Sequence, residues 1–211
     1  MNDIQKMNTE LENMSNELSG SVGLQKMLKF KKGQYFCDGE EISLGSQMIA
    51  HCVGWTKAWV KFEDGQLKEK RLYRVTQGER APLVNQMPDR DESKWKIGIN
   101  DKPADPWVLQ YLLPMQNPET DEVRIFVTSS NGGVRAVEDL CDRYIWQKRR
   151  KPESGQPLIR LQKTMMPTKK FGNVVRPSFE IVGWTNEGGE PIREISEKAM
   201  SEAEMDDEIP F

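Results

Sequence analysis

Apolar residues recur at Ile4, Met7, Leu11, Met14 and Leu18, separated alternately by three and four positions. That spacing predicts an amphipathic N-terminal helix, capped by Asn2 or Asp3. Two heptads are too short to be firm as an isolated coiled coil. The stripe is therefore expected to dock on the body or to pair with a second copy of the chain. Residues 19–23, Ser-Gly-Ser-Val-Gly, read as a hinge.

Beyond the hinge the pattern turns to strands. Residues 47–62 form a long candidate strand, Glu63-Asp64-Gly65 a turn, and residues 66–75 the return strand. Residues 76–104 are polar, contain Pro82, Pro88 and Pro103, and predict a long excursion of the kind that is often functional or mobile. Residues 107–115 and 123–130 predict a second hairpin. In residues 132–150, Val134, Val137, Leu140, Cys141, Tyr144 and Ile145 share a helical face, and Lys148-Arg149-Arg150 suit the negative end of the helix dipole. Residues 157–166 and 174–184 predict a final strand pair.

This order predicts a mainly β (α+β) body resembling an OB-fold, a small Greek-key barrel with a helix between its third and fourth strands. Three segments follow: an N-terminal helix and hinge at 1–23, the body at 24–184, and an acidic tail at 185–211 expected to be disordered.

Composition refines the picture. The hydrophobic share is 36% and the mean hydropathy is -0.71, lean for a chain that is packed throughout. No apolar run approaches the roughly 18 residues that span a bilayer, and the first residues lack an apolar signal core, so a cytosolic location is expected. Cys37, Cys52 and Cys141 are odd in number and widely spaced, which predicts reduced, buried thiols. The net charge of -3 hides a division: residues 1–23 carry -3, residues 24–184 carry +7, and residues 185–211 carry -7. A basic body with an acidic tail suits a polyanion partner.

Candidate chemistry sits first on residues 54–62, GWTKAWVKF. On a strand, Trp55, Lys57, Trp59 and Lys61 share one face, and Thr56, Ala58, Val60 and Phe62 the other. Alternating indoles and ammonium groups suit a single strand of nucleic acid, with bases on the rings and phosphates on the cations. The competing expectation is a tryptophan pair covered by the N-terminal helix or the long excursion. Arg71 and Tyr73 belong to the predicted partner strand. A second basic region, 143–176, holds ten cations, among them Arg149, Arg150, Lys163, Lys169 and Lys170, against the single acid Glu153. Phe171 beside Lys169 and Lys170 suggests a phosphate clamp with a stacking ring.

The last six residues, Asp206, Asp207, Glu208, Ile209, Pro210 and Phe211, resemble the C-terminal tip of bacterial single-stranded DNA-binding proteins. Several phage members of that class also close an acidic tail with Phe. The resemblance implies a protein of a bacterial or phage-infected cell that coats single strands. It also implies a tip that docks on replication, recombination or repair enzymes, with the Phe ring in an apolar pocket and the carboxylate on a basic residue. Only the chain end can present a ring and a carboxylate on one residue. The resemblance spans the tip alone. An N-terminal helix, a larger body and a short tail depart from the bacterial pattern, so tetramer formation is not carried over.

Other classes remain. An adaptor would use the tip to engage a DNA-processing enzyme without coating DNA. A metal-dependent nuclease is suggested by Pro88-Asp89 followed by Glu92-Ser93-Lys94, although these lie close together in a proline-rich segment. His51 is the only histidine, and Cys37, His51, Cys52 and Cys141 lack the paired spacing of a zinc site. No P-loop or dinucleotide fingerprint is present. The reading is therefore a non-enzymatic protein without a cofactor.

Overall fold

A computed structural model describes residues 26–63, 66–98, 101–169 and 172–186. The expected N-terminal helix and the acidic tail lie outside the described residues. Among the described residues the body is mainly β: ten strands form one curled, open sheet, a half-barrel, with a single α-helix.

The first three strands, β1 (Lys26–Lys31), β2 (Gln34–Cys37) and β3 (Glu40–Ile42), form a meander that the sequence reading omitted. Its turns are Lys32-Gly33 and Asp38-Gly39, each with both residues at positive φ, as tight hairpin turns require. The expected strand at 47–62 is two strands, β4 (Gln47–Ala50) and β5 (Thr56–Glu63), separated by a 3-10 turn at Cys52–Gly54. Both halves pair with one neighbour, β7 (Trp107–Gln116): Ala50 opposes Met115 and Thr56 opposes Leu112. Residues 51–55 thus bulge opposite residues 113–114. Pro114 has no N–H to give the ladder, so a bulge there loses little. Its carbonyl still accepts from the His51 N–H at 2.9 Å.

Three pairs of strands follow expectation more closely. β6 (Gln66–Arg74) returns along β5, β8 (Val123–Thr128) returns along β7, and β9 (Pro157–Thr168) forms a long ribbon with β10 (Gly172–Trp184). The sheet runs β10-β9-β4-β7-β8-β1-β2-β3, with β5 and β6 branching from β7. The helix α1 (Asn131–Arg150) lies between β8 and β9, the eighth and ninth strands, not the third and fourth. The meander and the broken strand add four strands to the four that the sequence spans already place before the helix, so the three-strand count of an OB-fold does not hold here.

Ser130 caps α1 by accepting the Gly133 N–H at 3.1 Å, and Lys148, Arg149 and Arg150 occupy its last turn. Val137, Leu140, Cys141 and Tyr144 enter the core with Leu28, Tyr35, Leu113, Phe126, Ile159, Leu161 and Phe179. Ile145, expected on this buried face, is 44% exposed. Gly133 packs so closely on Thr128 that a Cβ there would meet the threonine hydroxyl at 1.9 Å.

Side chains, rather than a ladder, draw the two ends of the sheet together. The Tyr35 hydroxyl on β2 donates to the Gln162 carbonyl of β9 at 2.8 Å and approaches the Ser178 carbonyl of β10 at 3.3 Å. Phe126 and Phe179 meet edge to face at 5.2 Å. The curled, open sheet, with ends at β3 and β10, is consistent with the expected OB-like barrel at the level of a half-barrel.

Candidate nucleic-acid interface

The face of β5 that carries Lys57, Trp59 and Lys61 has fixed neighbours. Lys57 lies between Tyr73 and Tyr111, Trp59 between Arg71 and Leu109, and Lys61 between Glu69 and Trp107. The excursion closes over the Trp59 and Lys61 part of this face through Ala81, Pro82, Met87 and Asp89. Trp59 is 5% exposed, packs with Met87 and Trp107, and donates its indole N–H to the Pro82 carbonyl at 3.0 Å. Tyr73 packs against the same group. This corrects the expectation that Trp59 stacks on bases: an indole buried beneath the chain's own loop offers no face to a ligand.

The cations of this face are engaged as well. Lys61 pairs with Glu63 at 2.9 Å and with Asp89 at 3.0 Å, and these two bonds raise its pKa. Asp89 is held below the usual carboxylate range by Lys61 and by the Trp107 indole N–H. Arg71 pairs with Glu69 and lies 4.9 Å above the Trp107 ring. Both therefore depart from the role of free phosphate ligands. A cleft of about 650 Å³ opens between Lys61, Asp89, Arg90, Trp95 and Asp105. Its charges pair with one another, Arg90 binding Asp105 through two bonds of 2.6 Å.

Trp55 differs. It is half-buried against the main core, 5.8 Å from Tyr111 and inclined to it by 34°. The Lys57 ammonium sits 4.8 Å from the Tyr111 ring and 5.6 Å from the Trp55 ring. The indole N–H of Trp55 is buried without a hydrogen-bond partner among the described residues. Trp55 and Lys57 thus keep partial access to solvent while Trp59 and Lys61 lie beneath or against the excursion.

An aromatic surface that the sequence reading missed stands at the end of α1. The six tryptophans all fall within the described residues, and Trp146 is the most open of them at 56% exposure. The Arg150 guanidinium lies 4.4 Å from its ring centroid. Positions three and four apart are neighbours on a helix, so Arg143, Trp146, Arg149 and Arg150 form one strip. Asp139 and Asp142 are the acids on that side, and Asp139 pairs with Arg176 at 3.1 Å. Arg149, Arg150 and Lys151 are exposed, as the sequence reading required of Arg149 and Arg150. The available signal was Trp146's position off the apolar stripe: a core-facing indole would share the face of Val137 and Tyr144.

The β9–β10 ribbon extends past the core. Lys163 and Lys169 are exposed on it, with Met165 55% and Val175 40% open. Lys170 and Phe171 lie outside the described residues, as do Asp206, Asp207, Glu208, Ile209, Pro210 and Phe211. Of the cations expected at the site, Arg149 and Arg150 therefore stand at the α1 end and Lys163 and Lys169 along the ribbon, away from Lys57 and Lys61 on β5.

Cys37, Cys52 and Cys141 are free and buried. His51 bonds Gln116 at 3.1 Å and burial lowers its pKa. Among the described residues no three His, Cys, Asp or Glu side chains gather into a set that could hold a metal. No helix among them is long and apolar enough to cross a membrane. No family model, curated protein or solved structure matches the chain.

Proposed function

We propose that this protein binds single-stranded DNA with little sequence preference on an OB-like body, and recruits replication, recombination or repair enzymes through residues 206–211. One observation carries the DNA reading: an exposed indole, Trp146, lies against the Arg150 guanidinium in a strip with Arg143 and Arg149. A ring held beside cations gives a base a stacking partner and its phosphate a counter-charge, worth about 1–3 kcal/mol per stacked base. Trp55 and Lys57 support it from the partly open end of the β5 face. The curled sheet with one helix before a final hairpin is compatible with an OB-like barrel. The tip supports the recruitment half by its resemblance alone.

A second reading, the adaptor, has an observation of its own. Trp59 is buried, and Lys61 and Arg71 are ion-paired, so the strand most suited to stacking is used within the fold. In that case the body would bind protein and only the tip would meet the DNA-processing enzyme.

Titration of protein lacking residues 206–211 with oligo-dT over a salt series separates the two. Affinity that falls steeply with salt, and that Trp146→Ala weakens, supports DNA binding. An absence of oligo-dT binding at low salt favours the adaptor.

A further inference from the structure

The β1–β2 hairpin carries cations that the α1 strip does not use. Lys29 stands opposite Phe36, and Lys31 opposite Gln34. Residues directly opposite on a hairpin share a face. Lys32 and Gly33 form the tight turn at φ 50 and 83, which holds the tip in one conformation. Met27, Lys29, Lys31, Lys32, Phe36 and the acid Asp38 line a concavity of about 510 Å³. Glu41 opposes Phe36 on the next strand. Lys29, Lys31 and Lys32 are exposed, and none has an ion-pair partner among the described residues.

The tip is anchored beside the β9–β10 ribbon. A Cβ on Gly33 would lie 3.7 Å from the Val175 side chain. Two residues on, Tyr35 donates to Gln162 of the ribbon. Val175 opposes Met165, and Lys163 opposes Pro177, so these four side chains share one face of the ribbon. The hairpin tip therefore meets the ribbon at Val175, while Lys29 and Lys31 stand on the hairpin face opposite the buried Leu28 and Tyr35 and stay open to a ligand.

We infer that the β1–β2 hairpin, through Lys29, Lys31, Lys32 and Phe36, is a second contact for the single strand. This rests on the DNA-binding reading above. The lysines take phosphates, and the half-buried Phe36 offers its ring to a base. Chain tracking explains the separation from Trp146: Trp184, which stacks on Tyr144 near the end of α1, is nine residues of β10 from Val175, about 30 Å of strand. A single strand that reached both would be gripped at two places.

The test uses the full chain with the substitutions Lys29→Gln, Lys31→Gln and Lys32→Asn, asparagine being chosen because it tolerates the positive φ at that position. Binding of a 20-nucleotide oligo-dT is read by anisotropy from low to moderate salt. Each phosphate contact contributes about -0.7 to the slope of log affinity against log salt. The triple variant is expected to flatten that slope by about 2, and Lys31→Gln alone by about 0.7. A triple variant with unchanged slope and affinity, while Trp146→Ala still weakens binding, overturns the hairpin contact and leaves the DNA reading standing. A wild-type chain that fails to bind even after removal of residues 206–211 overturns both.

Discussion

The indole nitrogen of Trp59 donates a hydrogen bond of 3.0 Å to the carbonyl of Pro82, tying a central strand to the long excursion. The excursion is thus held as a strap across the sheet, with its own Met87 packed on Trp59 and Trp107. Lys61 and Asp89 close the same face a few residues away.

Replacing Trp59 by Ala is expected to destabilise the body by about 3–5 kcal/mol, since a large buried ring is deleted. Trp59→Phe keeps much of the volume and loses the bond to Pro82, for a cost of about 1–2 kcal/mol. Urea unfolding measures both. Oligo-dT affinity per folded molecule should be unchanged in the Phe variant. A large loss there would return Trp59 to the binding surface.

Trp146 predicts the opposite pattern. It is exposed, so Trp146→Ala should shift stability by no more than about 0.5 kcal/mol. Oligo-dT affinity should fall by about 1–3 kcal/mol, or roughly 5- to 150-fold. The quench of tryptophan fluorescence on binding should shrink by a comparable share in Trp146→Phe, because the buried Trp59 and Trp107 report little. A quench of undiminished size would place the contact at another ring.

His51 gives the folded chain a pH dependence. Burial lowers its pKa below the ordinary 6.5, so the unfolded chain accepts a proton that the folded chain still refuses. Stability from this group is complete above about pH 6.5 and declines as pH falls from there to the folded pKa, then levels off. Asp89, held low by Lys61, and Glu122, held low by Lys26, lose their contributions only further down, below about pH 4. Urea midpoints between pH 7.5 and 5 should therefore drop for the wild type and flatten in His51→Gln. Parallel curves for the two proteins would show that the histidine titrates normally.

Removal of residues 206–211 separates the two halves of the proposed function. DNA affinity should stay the same or rise, because anionic charge tethered to a cationic body is taken away. Capture of a DNA-processing enzyme that recognises a C-terminal Phe should be lost. Equal capture by full-length and shortened protein would remove the tip from the interaction.

The strands were legible where apolar and polar residues alternate between clear turns. β6 to β10 and α1 follow their predicted spans within a few residues, and Ser130, Lys148 and Arg150 mark the helix ends as their chemistry requires. The meander β1–β3 was equally available: Lys32-Gly33 and Asp38-Gly39 are hairpin turns with apolar residues on either side. Its dense lysines masked the alternation. The broken strand at residues 51–55 was not legible, because Pro114, the residue opposite that tolerates the bulge, lies on a partner strand some sixty residues away.

The candidate site divides in the same way. Alternation placed Lys57, Trp59 and Lys61 on one face correctly, since side-chain direction follows from backbone pleat alone. Whether that face meets water depends on where an excursion of some thirty residues lies, and local sequence does not encode it. A strand of large rings and cations serves equally as a nucleic-acid platform or as the bed for a loop.

By itself the sequence determined the mainly β composition, the amphipathic helix before the last strand pair, the basic body and the charge division between body and termini. These depend on local period and on counted charges. Tertiary structure alone decided that Trp59 is covered, that Trp146 stands open beside Arg150, and that the β1–β2 tip meets the ribbon at Val175. Each is a contact or an exposure set by segments far apart in the chain, and burial is a property of what packs against a residue, not of the residue itself.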